Sequence, residues 1–106
     1  MMISKYVGQN SYGGQTIEVA LNTLFVLHIN ETNTSSYNVE FKEKKVFSTK
    51  VRFSFISNSD LEQTTVDAFS KIKEYFDGKS DYQWTVGQKN HQLNEVLNHF
   101  RTYNYE

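Results

Sequence analysis

Apolar and polar residues alternate with period 2 through the first half of the chain and with period near 3.6 through the second. Ile17, Val19, Leu21, Phe25, Leu27 and Ile29 share one parity, interrupted only at Thr23. Alternation of this kind puts one side of a strand in the core and the other toward water. Asn22-Thr23 can close a hairpin within this stretch. A helix is the competing reading, because Glu18 to Asn22 does not oppose one, but the β-branched content favours strands. Upstream, Ile3 and Val7 around Tyr6 predict a short strand over residues 2–8. Asn10-Ser11-Tyr12-Gly13-Gly14 then supplies turn chemistry, with two glycines able to take positive φ. A phosphate-binding loop would need Gly-Lys-Ser/Thr leading into a helix, which these residues lack.

Downstream, Tyr37, Val39 and Phe41 alternate with Asn38 and Glu40. The run Lys42-Glu43-Lys44-Lys45 predicts a charged hairpin tip, and Val46-Phe47 with Val51, Phe53 and Phe55 the returning strand. The regime then changes. Ser59 followed by Glu62 has the spacing of a capping box, and Leu61, Thr65, Ala68, Phe69, Ile72, Tyr75 and Phe76 share one helical face, with Gly78 placed to end the helix. Tyr82, Trp84 and Val86 predict a short last strand over residues 81–87. Leu93, Val96, Leu97 and Phe100 predict an amphipathic helix over residues 88–105. Strands mostly before helices imply a single α+β domain spanning residues 1–106. Its antiparallel sheet has about five to six strands, mostly N-terminal, with two helices of the C-terminal half packed on one face.

Composition refines this picture. Aromatic residues are 15% of the chain and offset an apolar share of only 38%, since each ring buries a large area. Cysteine is absent, which removes disulfides, thiolate metal sites and cysteine nucleophiles. No apolar run exceeds the four residues Leu24–Leu27, and the N-terminus has no signal-peptide character, so a soluble, cytoplasmic protein without a membrane partner is expected. The leaning to Asn, Lys, Tyr, Phe and Thr fits an AT-rich genome, that of a bacterium or a phage.

Candidate chemistry is sparse. His91, Glu95 and His99 recur every four residues on the last helix, where neighbours could share an ion. They lie opposite its apolar stripe, on the face expected to meet solvent. His28 stands alone on its strand with no partner evident from the sequence. No catalytic residue, metal or cofactor is therefore assigned. Tyr6, Tyr12, Tyr103 and Tyr105 lie near termini or turns, where burying them all is difficult. Tyrosine gives rigid contact area with a polar tip, which makes these four the candidate protein-binding residues. Lys42, Lys44, Lys45, Lys50 and Arg52, interleaved with aromatics, are the candidate nucleic-acid surface. Residues 1–57 hold six basic and four acidic side chains, and residues 58–106 hold five and eight. This imbalance is mild for a nucleic-acid binder. The expectation is a non-enzymatic protein acting by protein–protein interaction, of the kind used as a phage or mobile-element inhibitor or an immunity protein. A homodimer is compatible with it, and nucleic-acid binding through residues 37–55 is the alternative.

Overall fold

The computed structural model describes residues 1–105. It has an α+β fold: a five-stranded antiparallel sheet in the N-terminal half and two helices in the C-terminal half. The strands are β1 (Met2–Lys5), β2 (Gly13–Ala20), β3 (Phe25–Thr32), β4 (Tyr37–Lys44) and β5 (Thr49–Ser57), and the helices are α1 (Leu61–Lys79) and α2 (Val86–Tyr103). The sheet order is sequential, so every strand pairs with its neighbour in the chain. Backbone contacts divide the chain into two compact units, Met1–Asp60 and the residues from Leu61 onward. No helix among the described residues is long and apolar enough to cross a membrane.

In the first unit the period-2 reading holds, and residues 16–30 form a hairpin. Register aligns Ile3, Val19, Leu27, Phe41 and Phe53 in one row across all five strands. Lys5, Ile17, Ile29, Val39 and Phe55 make the next. Val19, Leu27, Phe41, Ile17, Ile29 and Val39 of these rows are buried. Phe41 stacks between Phe25 at 5.6 Å and Phe53 at 5.2 Å. The β2–β3 turn is closed by Asn22, whose Oδ1 accepts the Leu24 and Phe25 N–H groups. At the start of β2 the glycines are needed. Gly13 has φ +97°, and a Cβ on Gly14 would lie 2.6 Å from the Glu31 carbonyl oxygen.

Several expectations need correction. β1 stops at Lys5, and Val7 is bare to solvent. The charged run Lys42–Lys45 is not a tip. Residues 42–44 are strand, because Arg52 and Lys45 both reach Glu43 and satisfy its charge beside the ladder. The turn falls instead at Val46-Phe47, closed by the Lys45 N–H on the Ser48 carbonyl at 2.7 Å. A bulge between Phe41 and Lys42 adds one residue on β5, so Phe53 pairs with Phe41 but Val51 pairs with Lys42. The extra residue moves Val51 off the face of Phe53 and Phe55, and it is exposed.

In the second unit α1 buries Leu61, Ala68, Phe69, Ile72 and Phe76 together with Thr64 and Thr65. It begins at Leu61, so Asp60 and not Ser59 immediately precedes the helix. Glu62 falls at the second helical position, with its carboxylate held by Arg101 at 2.5 Å. Gly78 does not end the helix, which runs through it to Lys79. The strand expected over residues 81–87 is absent. Thr85 caps α2 there: its Oγ1 accepts the Gln88 N–H, and the Gln88 side chain accepts the Thr85 N–H. This reciprocal capping box satisfies two helix-end donors at once, and three alternating residues offer a lone strand nothing comparable. Trp84 is buried all the same, against Phe69 and Phe76.

Candidate functional site

The sheet carries its chemistry on the side opposite the buried rows. Register lines up Ser4, Glu18, His28, Glu40 and Ser54 in one row across the five strands. Tyr6 Oη donates to Glu18 Oε2 at 2.6 Å, and His28 Nε2 lies 2.7 Å from the same oxygen. A carboxylate only accepts, so the imidazole presents Nε2–H to it. Burial alone would raise the Glu18 carboxyl. The hydrogen bonds from Tyr6 and His28, with the charges of His28 and Lys44, outweigh burial and hold it below the ordinary carboxylate range. The same contact, with burial and the Glu18 charge, pushes the Tyr6 phenol up.

The neighbouring row joins this cluster through Asn30. Its Nδ2 donates to Glu40 Oε1 at 2.9 Å and to the Asn38 carbonyl at 3.0 Å, and its Oδ1 accepts from Thr16 Oγ1 at 2.7 Å. Lys42 Nζ lies 3.8 Å from Glu40 Oε1. The result is an array of side chains held in place by one another. Three apolar groups border it: Met2, Val51 and Ile56, the last 69% exposed.

The four candidate tyrosines occupy different settings. Tyr6, 47% exposed, belongs to this array. Tyr12 lies in the loop before β2, with its N–H on Asn10 Oδ1 and its carbonyl accepting from Asn33. Tyr103 and Tyr105 come together in the second unit around His99. Tyr103 is 66% exposed with its ring 4.6 Å from the imidazole, and the half-buried Tyr105 hydroxyl lies 2.8 Å from Nε2. His99 is therefore drawn out of the solvated row expected for it. His91 and Glu95 remain exposed and pair at 2.6 Å. Among the described residues no group of three or more potential ligands is placed to hold a metal.

The basic candidates stay on one hairpin but are unequal. Glu43 engages Arg52 and Lys45, and Glu40 faces Lys42, whereas Lys44, Lys45 and Lys50 are exposed around the bare Val46-Phe47 turn. Open clefts lie elsewhere. One of about 450 Å³ is lined by Phe76, Asp77, Asp81 and Tyr82, and one of about 400 Å³ by Glu31, Ser35, Tyr37 and Asp60.

Sequence reasoning missed the Glu18–His28 pair. Its signal was present, since a hairpin that sets Ile17 opposite Ile29 and Val19 opposite Leu27 must set Glu18 opposite His28. Tyr6 had no such signal, because its reach to Glu18 depends on the path of the loop between β1 and β2. Comparison with known protein families, curated proteins and solved structures finds no match.

Proposed function

We propose that the protein is a non-enzymatic binding protein that acts on another protein through the ordered side of its sheet. The observation that carries this reading is the mutual fixing of Tyr6, Glu18, His28, Asn30 and Glu40. Side chains already held in one arrangement lose little entropy when a partner covers them, so more of the contact energy appears as affinity. The composition also suits an interface: a tyrosine and a histidine at the centre, and apolar Met2, Val51 and Ile56 at the border. The imidazole and the carboxylate are spent on each other, which favours recognition over proton transfer. Nucleic-acid binding draws less support, because Phe41, Phe53 and Phe55, the aromatics of that hairpin that would stack on bases, lie in the rows of the sheet's buried face.

The test is affinity capture from a low-GC bacterial lysate, combined with the mass of the purified protein in solution. The parent retains one stoichiometric partner, or a second copy of itself. Tyr6→Ala and Ile56→Lys lose it while melting normally. A parent that elutes as a clean monomer and retains nothing ends this reading.

A further inference from the structure

We infer that one end of the sheet docks onto an anionic lipid surface, inserting the Val46-Phe47 turn among the lipids and setting a collar of lysines on the headgroups. The surface adjoins the ordered array at Met2 but is centred on a different segment, the β4–β5 turn, so the inference goes beyond the function proposed above. Its first support is exposure. Val46 is 89% and Phe47 97% exposed, so a valine and a phenylalanine stand almost wholly in water. The turn that carries them is held in a strand pair by the Lys45 N–H to Ser48 carbonyl bond. An aromatic ring left in water at a fixed position marks a contact surface.

The second support is the setting. The β2–β3 turn lies at the same end, tied to β4 by the Lys44 N–H on the Leu24 carbonyl at 2.7 Å, and it adds the exposed Leu24. β1 begins at this end, because Met2 pairs with Ala20, and it adds the exposed Met1 and Met2. The exposed apolar groups are thus spread over three segments at one end of the sheet. A fluid surface meets such a spread without a matching pocket.

The third support is charge. Residues 44–50, Lys-Lys-Val-Phe-Ser-Thr-Lys, contain three exposed lysines; Lys45 shares the preceding Glu43 with Arg52, and Lys44 and Lys50 stand exposed on either side of the turn. Amines beside an inserted apolar group are complementary to phosphatidylserine or phosphoinositide headgroups, and long lysine stems let the charge stay at the interface. Spanning is not involved, and the shortness of the apolar runs does not bear on it. Docking of this type needs only a few apolar groups plus a cationic patch.

The test is sedimentation with phosphatidylcholine vesicles containing about one third phosphatidylserine, against phosphatidylcholine alone, at low and physiological salt. The full chain associates with the anionic vesicles at least about tenfold more strongly than with the neutral ones, and salt weakens the binding. Phe47→Ser and the triple change Lys44→Gln, Lys45→Gln, Lys50→Gln each reduce it by about tenfold or more, with unchanged melting. Tyr6→Ala leaves it intact, which separates failure here from failure of the protein-binding reading. Phe47→Trp is quenched by brominated lipid, while the parent's buried Trp84 is not. Absence of binding to anionic vesicles at low salt overturns the inference, as does binding indifferent to Phe47→Ser. A single-stranded oligonucleotide that is bound with the same dependence on Phe47, while vesicles are not, overturns it in favour of base stacking.

Discussion

The two ends of the sheet treat their polar and apolar groups in opposite ways. At the end where β2 begins and β3 finishes, polar side chains close on one another. Asn10 Oδ1 takes the Tyr12 and Gly14 N–H groups, while its Nδ2 reaches Thr16 Oγ1 and the Glu31 carbonyl. Thr32, Thr34 and Ser36 bond together across the β3–β4 turn. Val7 is bare there, but it stands without a cluster of cations around it. At the other end, Leu24, Val46 and Phe47 are left in water beside Lys44, Lys45 and Lys50. Polar turns that bond within themselves hold that end of the fold together, although Glu31 Oε1 and Asn38 Oδ1 are buried there without a hydrogen-bond partner. An apolar turn under a lysine collar adds nothing to folding, and its cost is recovered only on contact. The difference separates an end whose turns are bonded to themselves from an end whose turns leave apolar groups exposed.

The comparison can be broken most forcefully through the core that both ends share. Phe41 is fully buried and stacked between Phe25 and Phe53. Phe41→Ala is expected to cost about 3–5 kcal/mol, a large part of the stability of a chain this size. Urea unfolding should show the loss, with both ends melting together. A smaller loss at the polar end alone is expected from Asn30→Ala. Asn30 is buried and makes three hydrogen bonds, and its removal takes the acceptor from the Thr16 hydroxyl and an amide donor from Glu40, at about 1–3 kcal/mol. Hydrogen exchange should then rise first in the amides of residues 13–16 and 30–38. Equal exchange at both ends would mean that the polar network does not anchor its own end.

Acid should sharpen the contrast in the same direction. Glu18 has its carboxyl lowered in the folded state, so its contribution is present above the unfolded value of 4.5 and disappears as pH falls through the folded one. The Tyr6 phenol is raised, so its contribution is complete below 10.0 and is lost as pH rises through the folded value. Glu18→Gln should cost about 1 kcal/mol at neutral pH, the partly exposed pair being screened by water, and should flatten the acid limb of the stability profile. A profile identical to the parent's would show that Tyr6 and His28 do not hold the carboxylate in solution.

The same contrast explains what could be read from the chain. Alternation from Ile17 to Ile29 was legible because strand geometry alone enforces it, and burial follows it except at Val26, which is buried on the opposite parity. The β4–β5 turn was misplaced because a run of four charges looks like a solvated tip. Cross-strand pairing of Glu43 with Arg52 lets those charges sit in a strand, which a reading without register cannot anticipate. Moving the turn by three residues takes Val46 and Phe47 out of the expected returning strand and into an exposed turn. The second misreading has a similar origin. Tyr82, Trp84 and Val86 alternate, but Thr85 and Gln88 between them hold a helix start that outweighs three alternating residues. Glu18 and His28 were legible in principle from hairpin register, and Tyr6 only from the folded loop.

The smallest expected effect is the most discriminating. Phe47→Ser replaces an aromatic ring that touches almost nothing in the folded chain, so the folded state gains or loses little by it. Exposed substitutions away from packing features usually fall within about 0.5 kcal/mol of neutral. The sign can even favour the variant. Serine suits a turn, and removing an exposed phenylalanine lowers the tendency to self-associate. Thermal unfolding of Phe47→Ser should therefore superimpose on that of the parent, with solubility at high concentration equal or better. Were this variant to melt well below the parent, Phe47 would be packed in solution, against the chain or against another copy of it. The turn end would then belong to the fold, the contrast between the two ends would vanish, and with it the reason to look there for a docking surface.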